Sequence, residues 1–455
     1  MKQVETAQDL RDAVPGSVPI QRDELEAHWM PFTGNRDFHE DPRFVTAAHG
    51  RYYRAADGRD IIDSLSGLWC ASFGHCREEI ANAISTAART LDYAPAFQFG
   101  HPLSFELANR VRAITPDGLD HVFFTNSGSE SADTALKMVR AYWRLRGQPE
   151  KLRIIGRARG YHGVNIGGTS LGGIGPNRKA FGPLLDVDHL PHTLLPENRF
   201  SRGIPEHGTN LADRLEELVT LHDPSNIAAV MVEPMSGSAG VIIPPAGYLQ
   251  RLREICDRHD ILLVFDEVLT GFGRTGAPFG ADLFEVTPDI MTLAKNLTNG
   301  AIPMGAVVAS ADVYRTFMDQ QTPTYTPEFA HGYTYSAHPI ACAAALAAMD
   351  IFERDDMAGR AARLAPHFER QVHGLRGLPH IVDIRNLGLA AAIQLEPKAG
   401  EPGRRPWEIS MAAWKRGLYL RFGGDTIQLG PPFISEPEDI DEICNVLHDV
   451  LSELG

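Results

Sequence analysis

The chain has 455 residues, 43% of them hydrophobic and 22% charged, which is the composition of an ordinary globular protein. Its formal net charge of −15 disfavours a general nucleic-acid binder and a protein that binds anionic membranes, so we expect a small-molecule ligand. Length alone predicts about two to four domains of typical size.

No targeting or membrane segment is predicted. The first six residues contain no apolar run of the kind found in secretion signals. The longest uncharged stretch, residues 329–349, contains two His, a Gly and a Pro, which disfavours a membrane-spanning helix. The five cysteines are scattered without a C-x-x-C pair, as is typical of free thiols in a reducing compartment. We therefore expect a soluble, cytoplasmic protein.

The N-terminal part contains an aromatic segment and a predicted hairpin. Residues 28–32 (HWMPF) are too apolar for a free tail, and they fit either a segment packed on the core or a pocket wall. Tyr52-Tyr53 and residues 61–63 predict two short strands joined by a turn at Asp57-Gly58.

From about residue 77, helical and strand patterns alternate, which predicts a mostly parallel sheet with helices on both faces. The predicted helices are 78–91, one following residue 127 and extending to about 146, and 248–258, and the predicted strands are 122–124, 152–155, 227–232 and 261–265. Beyond residue 345, short predicted strands at 381–384, 390–395, 418–422 and 426–429 and a last amphipathic helix indicate a second, smaller α+β domain.

Two charged groups follow predicted core strands. Asp266-Glu267 ends the apolar run 261–265, and Lys295 follows the apolar stretch 290–294. Because the carboxyl ends of parallel strands meet at one edge of a sheet, we expect Asp266 and Lys295 to face the same crevice.

Three further groups have both a functional and a structural interpretation. Ser127-Gly128-Ser129, between a strand and a helix, fits a phosphate cradle or a plain helix cap. Tyr161 fits a residue stacked on a planar ligand or a core aromatic. Arg421, between two apolar residues, fits a structural ion pair or a fork for a substrate carboxylate.

Two motifs are interpreted as non-functional. Residues 271–276 match G-x-G-x-x-G, but residues 267–270 separate them from the strand and Pro278 stands where a helix should begin, so a dinucleotide site is disfavoured. Residues 186–192 contain two Asp and two His, yet Pro191 disrupts a shared helix face, and we predict a solvated loop rather than a metal site.

An acid, a lysine, a phosphate cradle and an aromatic residue together call for a planar, phosphorylated ligand that bears a carbonyl group. Pyridoxal 5′-phosphate fits this description, because its aldehyde condenses with a lysine amine and an aspartate keeps its ring nitrogen protonated. A partly desolvated lysine has a lowered pKa, which suits this chemistry.

The sequence resembles the class III (ω-type) pyridoxal-phosphate aminotransferases over nearly its whole length, from residues 28–33 to 423–426, and is most similar to the β-alanine:pyruvate (ω-amino acid:pyruvate) subgroup. The blocks that carry this resemblance are 263–276 (LVFDEVLTGFGRTG) followed by Ala294-Lys295, 97–102 (FQFGHP), 233–240 (EPMSGSAG) and 331–339 (HGYTYSAHP).

The resemblance implies a role for each matching position. The catalytic residues it implies are the Schiff-base lysine and proton carrier Lys295, the partner of the ring nitrogen Asp266, and the ring-stacking residue Tyr161. The further cofactor contacts it implies are Ser127, Gly128 and Ser129 at the phosphate, Val268 and His162 beside the ring, Glu233 behind it, and Thr334 at the phosphate of a neighbouring subunit. The substrate-pocket residues it implies are Phe32, Trp69 and Arg421.

The resemblance also implies the type I fold of pyridoxal-phosphate enzymes, with a seven-stranded, mostly parallel sheet in the large domain. We expect an N-terminal segment over 1–70 that contributes to the small domain, a large cofactor-binding domain over 71–335, and a C-terminal small domain over 336–455. A homodimer with shared active sites, or a tetramer of such dimers, is implied, with no metal, nucleic acid or membrane.

The activity that the resemblance implies is transfer of the amino group of β-alanine, another ω-amino acid or a primary amine to pyruvate. The products are malonate semialdehyde, or the corresponding aldehyde or ketone, and L-alanine. Alternatives on the same fold are a taurine:pyruvate or other amine aminotransferase, an aminomutase and a decarboxylating aminotransferase. An alternative of another class is a non-catalytic binding protein that retains the site.

Overall fold

The computed structural model describes residues 22–182 and 185–454. Its strands are β1 (Val45–His49), β2 (Tyr52–Ala55), β3 (Asp60–Asp63), β4 (Leu119–Thr125), β5 (Arg153–Arg157), β6 (Val187–Leu190), β7 (Ile227–Val232), β8 (Leu262–Asp266), β9 (Ile290–Leu293), β10 (Gly305–Ser310), β11 (Ile381–Leu387), β12 (Ala390–Leu395), β13 (Leu418–Tyr419), β14 (Arg421–Gly423) and β15 (Thr426–Leu429).

The α-helices are α1 (Asn35–Glu40), α2 (Ser66–Trp69), α3 (Glu78–Thr90), α4 (Pro102–Ile114), α5 (Gly128–Leu145), α6 (Ile166–Leu171), α7 (Gly175–Phe181), α8 (Arg214–His222), α9 (Tyr248–Arg258), α10 (Gly280–Phe284), α11 (Ala311–Met318), α12 (Pro339–Arg354), α13 (Met357–Gly374), α14 (Arg404–Lys415) and α15 (Pro437–Glu453). Short 3₁₀ helices lie at Arg22–Ala27, Pro196–Asn198, Thr209–Asp213, Pro224–Asn226 and Lys295–Thr298.

The large sheet has the strand order β4-β10-β9-β8-β7-β5-β6 within the described residues. Strands β6, β5, β7, β8 and β9 run parallel, whereas β10 is antiparallel to both β9 and β4. Every residue of β7 and β8 is buried, because helices cover both faces of the sheet, and this burial explains their continuous apolar runs. The predicted fold class is therefore confirmed.

The prediction of a solvated loop at residues 186–192 is wrong in part, because Val187–Leu190 forms the edge strand β6. This strand pairs in parallel with β5, and Asp188 accepts a hydrogen bond from Arg153 at 2.6 Å. Charged side chains are common on edge strands, where they discourage pairing with other chains. The polar composition that predicted a loop is thus the composition of a sheet edge.

Two smaller sheets complete the fold within residues 22–182 and 185–454, with the orders β11-β12-β15-β14 and β1-β2-β3-β13. The predicted strand 418–422 is divided between them at Leu420: Leu418 pairs with Ile62 of β3, and Arg421 pairs with Gln428 of β15. The two ends of the chain therefore share a sheet. The predicted domain boundaries stay a prediction, and residues 1–21 of the N-terminal segment lie outside the described residues.

A membrane-spanning helix and a metal-binding cluster are both absent from the part of the chain that the structure describes. None of its helices combines the length and apolar character needed to cross a membrane. Its His, Cys, Asp and Glu side chains form no group of three or more that could hold a metal ion.

Candidate active site

Two successive carboxylates at the end of β8 point to opposite sides of the sheet, as successive residues of a strand do. The Asp266 side chain lines a cavity at the carboxyl edge of the sheet, whereas Glu267 is turned toward α10. Glu267 accepts hydrogen bonds from the N–H groups of Gly280 (2.8 Å) and Ala281 (2.6 Å), so it satisfies the first turn of that helix. Burial raises the pKa of Glu267 to about 7, against the effect of these donors.

Asp266 is held in a fixed orientation by two contacts. Its Oδ2 lies 2.8 Å from Nδ1 of His162, and its Oδ1 accepts a hydrogen bond from the N–H of Val268 at 3.2 Å. Asp266 is 6% exposed and His162 is 1% exposed, so the pair is sheltered from water except at the cavity. Nε2 of His162 is buried without a partner among the described residues.

Lys295 enters the same cavity from the end of β9. Its backbone is in the left-handed region, with φ of 52°, at the start of the 3₁₀ helix Lys295–Thr298. Residues in such conformations cluster at functional sites because the surrounding structure must hold them there. Burial lowers the pKa of the Lys295 amine, and the negative charge of Asp266 opposes that shift. The amine is therefore closer to its neutral, nucleophilic form than an ordinary lysine is.

The N-terminus of α5 forms an anion-binding wall of the cavity. Ser127 caps the helix by accepting a hydrogen bond from the N–H of Glu130 at 3.2 Å, so the cap interpretation of this serine is correct. The first N–H groups of an 18-residue helix have no intrahelical acceptor and attract anions. Gly128 is closely packed, because a Cβ there would lie 3.1 Å from the side chain of Val268, closer than an ordinary van der Waals contact.

Glu233, at the end of β7, and Tyr161 form another wall. Oε1 of Glu233 accepts a hydrogen bond from the N–H of Tyr161 at 3.0 Å, which fixes the start of the segment that carries His162. Burial raises the pKa of both the Glu233 carboxyl and the Tyr161 phenol. The guanidinium of Arg421 interacts electrostatically with Tyr161 and Lys295, so this arginine lies near the cavity.

The cavity has a volume of about 150 Å³, and most of the predicted cofactor contacts line it. Those lining residues are Gly128, Ser129, Tyr161, His162, Glu233, Asp266, Val268 and Lys295. Sequence reasoning missed Gly163, Ser238, Leu269 and Ala294, which also line it. Ser238 could have been predicted from the sequence, since it belongs to the block 233–240 that carries the family resemblance.

Five predicted site residues lie outside the lining of this cavity: Ser127, Phe32, Trp69, Thr334 and Arg421. Phe32 is 74% exposed, and Thr334 is exposed as well. Trp69 is 2% exposed and packs against Gly430 and Arg274. The structure of one chain thus brings together eight of the predicted cofactor contacts, whereas Ser127, Thr334 and the three predicted substrate-pocket residues lie outside the cavity.

The cavity fits a planar anionic ligand with an aldehyde group. Gly128 keeps the first turn of α5 accessible to a phosphate, and the unpartnered Nε2 of His162 marks a polar face beside Asp266. An amine of lowered pKa (Lys295) and a carboxylate (Asp266) line the same space. These are the features that pyridoxal phosphate requires.

Comparisons with known proteins agree with this geometry. The class III aminotransferase family matches residues 33–451. The chain is 59% identical to a β-alanine–pyruvate aminotransferase of Pseudomonas aeruginosa over 432 residues, which cover 95% of this chain and 96% of the relative. It is 60% identical to an ω-amino acid–pyruvate aminotransferase of Pseudomonas putida, with 94% of this chain and 96% of that relative covered.

Solved structures show the same architecture. An amine transaminase from an uncultivated Pseudomonas species, in its pyridoxal-phosphate-bound form, superimposes with a TM-score of 0.87 at 35% identity, covering 94% of this chain and 99% of that chain. An (S)-enantioselective ω-transaminase from Thermomicrobium roseum gives 0.88 at 31% identity, covering 95% and 97%. The cofactor is pyridoxal 5′-phosphate, and the substrates are small amines and keto acids. The chain therefore belongs to the class III aminotransferases.

Proposed function

We propose that the protein is an ω-amino acid:pyruvate aminotransferase. It transfers the amino group of β-alanine, or of a related primary amine, to pyruvate, with malonate semialdehyde (or another aldehyde or ketone) and L-alanine as products. The observation that carries this proposal is the single cavity shared by Lys295, Asp266 and the N-terminus of α5. The names of the relatives at 59–60% identity support the choice of substrates.

The bound cofactor supplies an electron-withdrawing ring that stabilises negative charge at the substrate carbon. Lys295 accepts the proton from that carbon at Nζ and returns it at a neighbouring position, a role that its lowered pKa favours. Asp266 would keep a proton on the ring nitrogen of the cofactor, and His162 holds this carboxylate in place at 2.8 Å. Tyr161 would stack on the ring, and Glu233 orients Tyr161 through its backbone N–H.

We propose that the opposite side of the site recognises the substrate. Arg421 presents a guanidinium near Tyr161 and Lys295, where it can bind the carboxylate of β-alanine or pyruvate in a bidentate manner. Phe32 and Trp69 shape the space for the carbon chain. The other interpretation of Arg421, a structural ion pair, lacks support, since no carboxylate among the described residues lies within 4.0 Å of it.

We propose a cytoplasmic homodimer with shared active sites, or a tetramer of such dimers. Support comes from the segment around Thr334, which is exposed although His331 anchors it to Thr134 of α5 at 2.9 Å. Phe97 and Phe99 are 56% and 72% exposed, which is unusual for large aromatic side chains unless they meet a partner. In this proposal Thr334 binds the phosphate in the neighbouring subunit.

The visible spectrum of the purified protein tests the proposed reaction. We expect the cofactor band to bleach on addition of β-alanine and to return on addition of pyruvate. A band that responds to taurine or another amine but not to β-alanine would overturn the substrate and keep the aminotransferase. Carbon dioxide release, or amino transfer within one molecule without a keto acid, would identify a decarboxylating enzyme or an aminomutase instead.

A further inference from the structure

We propose that Arg274 is a positioning residue of the substrate pocket. It holds residues 64–75, a segment that includes α2 and is here called the Trp69 loop, against the C-terminal region. Because the end of this segment also contacts the turn that begins at Lys295, Arg274 sets the fit of the amine substrate. This inference rests on the proposed function. Arg274 belongs to the G-x-G-x-x-G match at residues 271–276, to which no dinucleotide role was given.

The environment of Arg274 is unusual for an arginine. Its side chain is fully buried, and no carboxylate oxygen of residues 22–182 or 185–454 lies within 4.0 Å of its nitrogens. Burial lowers the pKa of Arg274 to about 9, and the more distant Asp63 opposes that shift. Because an unpaired buried charge is costly, a folded chain keeps one only where its hydrogen bonds are needed.

Those hydrogen bonds join three separate parts of the chain. One terminal nitrogen donates to the carbonyl groups of Leu389 (3.0 Å) and Pro431 (2.9 Å) in the C-terminal region. The other donates to the hydroxyl groups of Ser66 (2.9 Å) and Ser72 (2.6 Å) in the Trp69 loop. The planar fork of a guanidinium can reach four acceptors in this way, which a lysine amine cannot.

The Trp69 loop needs such support because its backbone is strained. Ser66 and Trp69 have φ of 50° and 65°, values that side-chain-bearing residues rarely adopt. Asp63 stabilises the start of the loop by accepting hydrogen bonds from the N–H groups of Leu65 (2.9 Å) and Gly67 (2.6 Å). Arg274 binds the middle of the loop, on both sides of Trp69.

The end of the loop is joined to the catalytic lysine. The side chain of Asn299, four residues after Lys295, accepts a hydrogen bond from the N–H of Phe73 and donates one to the carbonyl of Gly74, each at 2.8 Å. Cys70 interacts electrostatically with Lys295, and a Cβ on Gly300 would lie only 3.0 Å from its sulfur. A shift of the Trp69 loop would therefore move the groups that pack beside Lys295.

Trp69 itself depends on Arg274 for its position. The guanidinium carbon lies 5.3 Å from the centroid of the indole ring, within range of a cation–π contact. On another side, the indole ring packs directly against the backbone of Gly430, where an added Cβ would lie 2.1 Å from the ring. Loss of the guanidinium would open a cavity on one side of the indole and free the loop to move into it.

The test compares Arg274→Met and Arg274→Lys with Lys151→Met, a control that removes another buried cation, one that lies over Trp143. We expect Arg274→Met to raise the KM for β-alanine at least tenfold with a smaller change in kcat, and Arg274→Lys to restore part of the difference. The control should leave KM within twofold of the wild type. Equal KM values in all the enzymes would overturn the proposal.

A second measurement uses the apoenzyme, in a Cys76→Ser background because Cys76 is exposed. We expect a thiol reagent to label Cys70 at least fivefold faster in Arg274→Met than in the wild type, and an unchanged rate would contradict the proposal. If Arg274→Met does not fold, the double variant Ser66→Ala/Ser72→Ala takes its place. We expect this variant to raise the KM for β-alanine and the labelling rate of Cys70 about threefold each, and the absence of both changes would overturn the proposal. A wild type inactive with β-alanine would refute the proposed function alone, since the labelling needs no substrate.

Discussion

The candidate site has a floor, formed by the residues that line the cavity, and a proposed rim, formed by Phe32 and Thr334. One chain builds the floor more completely than the rim. On the floor, Asp266, His162 and Glu233 are at most 6% exposed and are joined to their neighbours by hydrogen bonds. At the proposed rim, Phe32 is 74% exposed and Thr334 is exposed as well.

This difference corresponds to the proposed roles of the two regions: the floor residues take part in the reaction, and the rim residues help to bind substrate and cofactor. Asp266 and Glu233 lie at the ends of central strands, and His162 lies in the segment that follows β5, so folding of the large sheet brings the three together. The rim groups lie on connecting segments that a single chain leaves uncovered. We therefore expect floor variants to lose the reaction, and rim variants to lose affinity in a manner that depends on a second copy of the chain.

Replacement of Lys295 by Ala should have the largest effect. This substitution removes the amine that is proposed to carry the proton, and we expect turnover to fall by about 10⁴-fold or more while the cofactor still binds without a covalent link. Steady-state rates and the absorption spectrum after dialysis measure both effects. Lys415→Ala, on the exposed end of α14, is the control. Wild-type rates in Lys295→Ala would refute the assignment of the floor.

Asp266→Asn should have the next largest effect, because it keeps the shape of the side chain and removes the charge that faces the ring nitrogen. We expect kcat to fall by about 10²–10³-fold, the usual effect of losing one electrostatic contact to the reacting groups. Glu267→Gln is a matched control, since this neighbouring carboxylate points toward α10. If both variants lost activity equally, the two sides of β8 would not differ in function.

The lowered pKa of Lys295 predicts a pH dependence for the apoenzyme. The neutral amine is the reactive form, so the rate of capture of pyridoxal phosphate should rise about tenfold per pH unit and then level off at the pKa. Because burial lowers that pKa, the plateau should begin below pH 10.5, the ordinary value for lysine. Stopped-flow absorbance gives the profile. A midpoint at or above 10.5 would show that the amine is not desolvated.

Thr334→Ala should have the smallest effect and tests the rim. Loss of one hydrogen bond to the phosphate of the neighbouring subunit should weaken cofactor binding by about three- to tenfold. Thr220→Ala, at an exposed position of α8, is the control. Equilibrium dialysis measures the affinity. An effect that persists in a monomeric preparation would contradict the shared site.

Sequence reasoning was most successful where one physical rule dominates. Strand β7 and helix α9 have the predicted bounds, because a fully buried strand and an amphipathic helix leave clear patterns. The shared cavity of Lys295 and Asp266 was predicted from charge at the ends of apolar runs. The edge strand β6 was missed, since half of its pairing surface faces solvent and its composition resembles that of a loop.

What the sequence determined by itself is the family, the alternation of strands and helices, and most of the residues that line the cavity, since local patterns and the motifs of the family encode all three. The tertiary structure alone decided the opposite directions of Asp266 and Glu267, the division of residues 418–422 between two sheets, and the burial of Arg274 among four neutral acceptors. These features depend on contacts between residues that are far apart in the chain, such as Arg274 with Ser66 and Pro431. No local pattern records such contacts, because each partner is an ordinary residue until the fold brings them together.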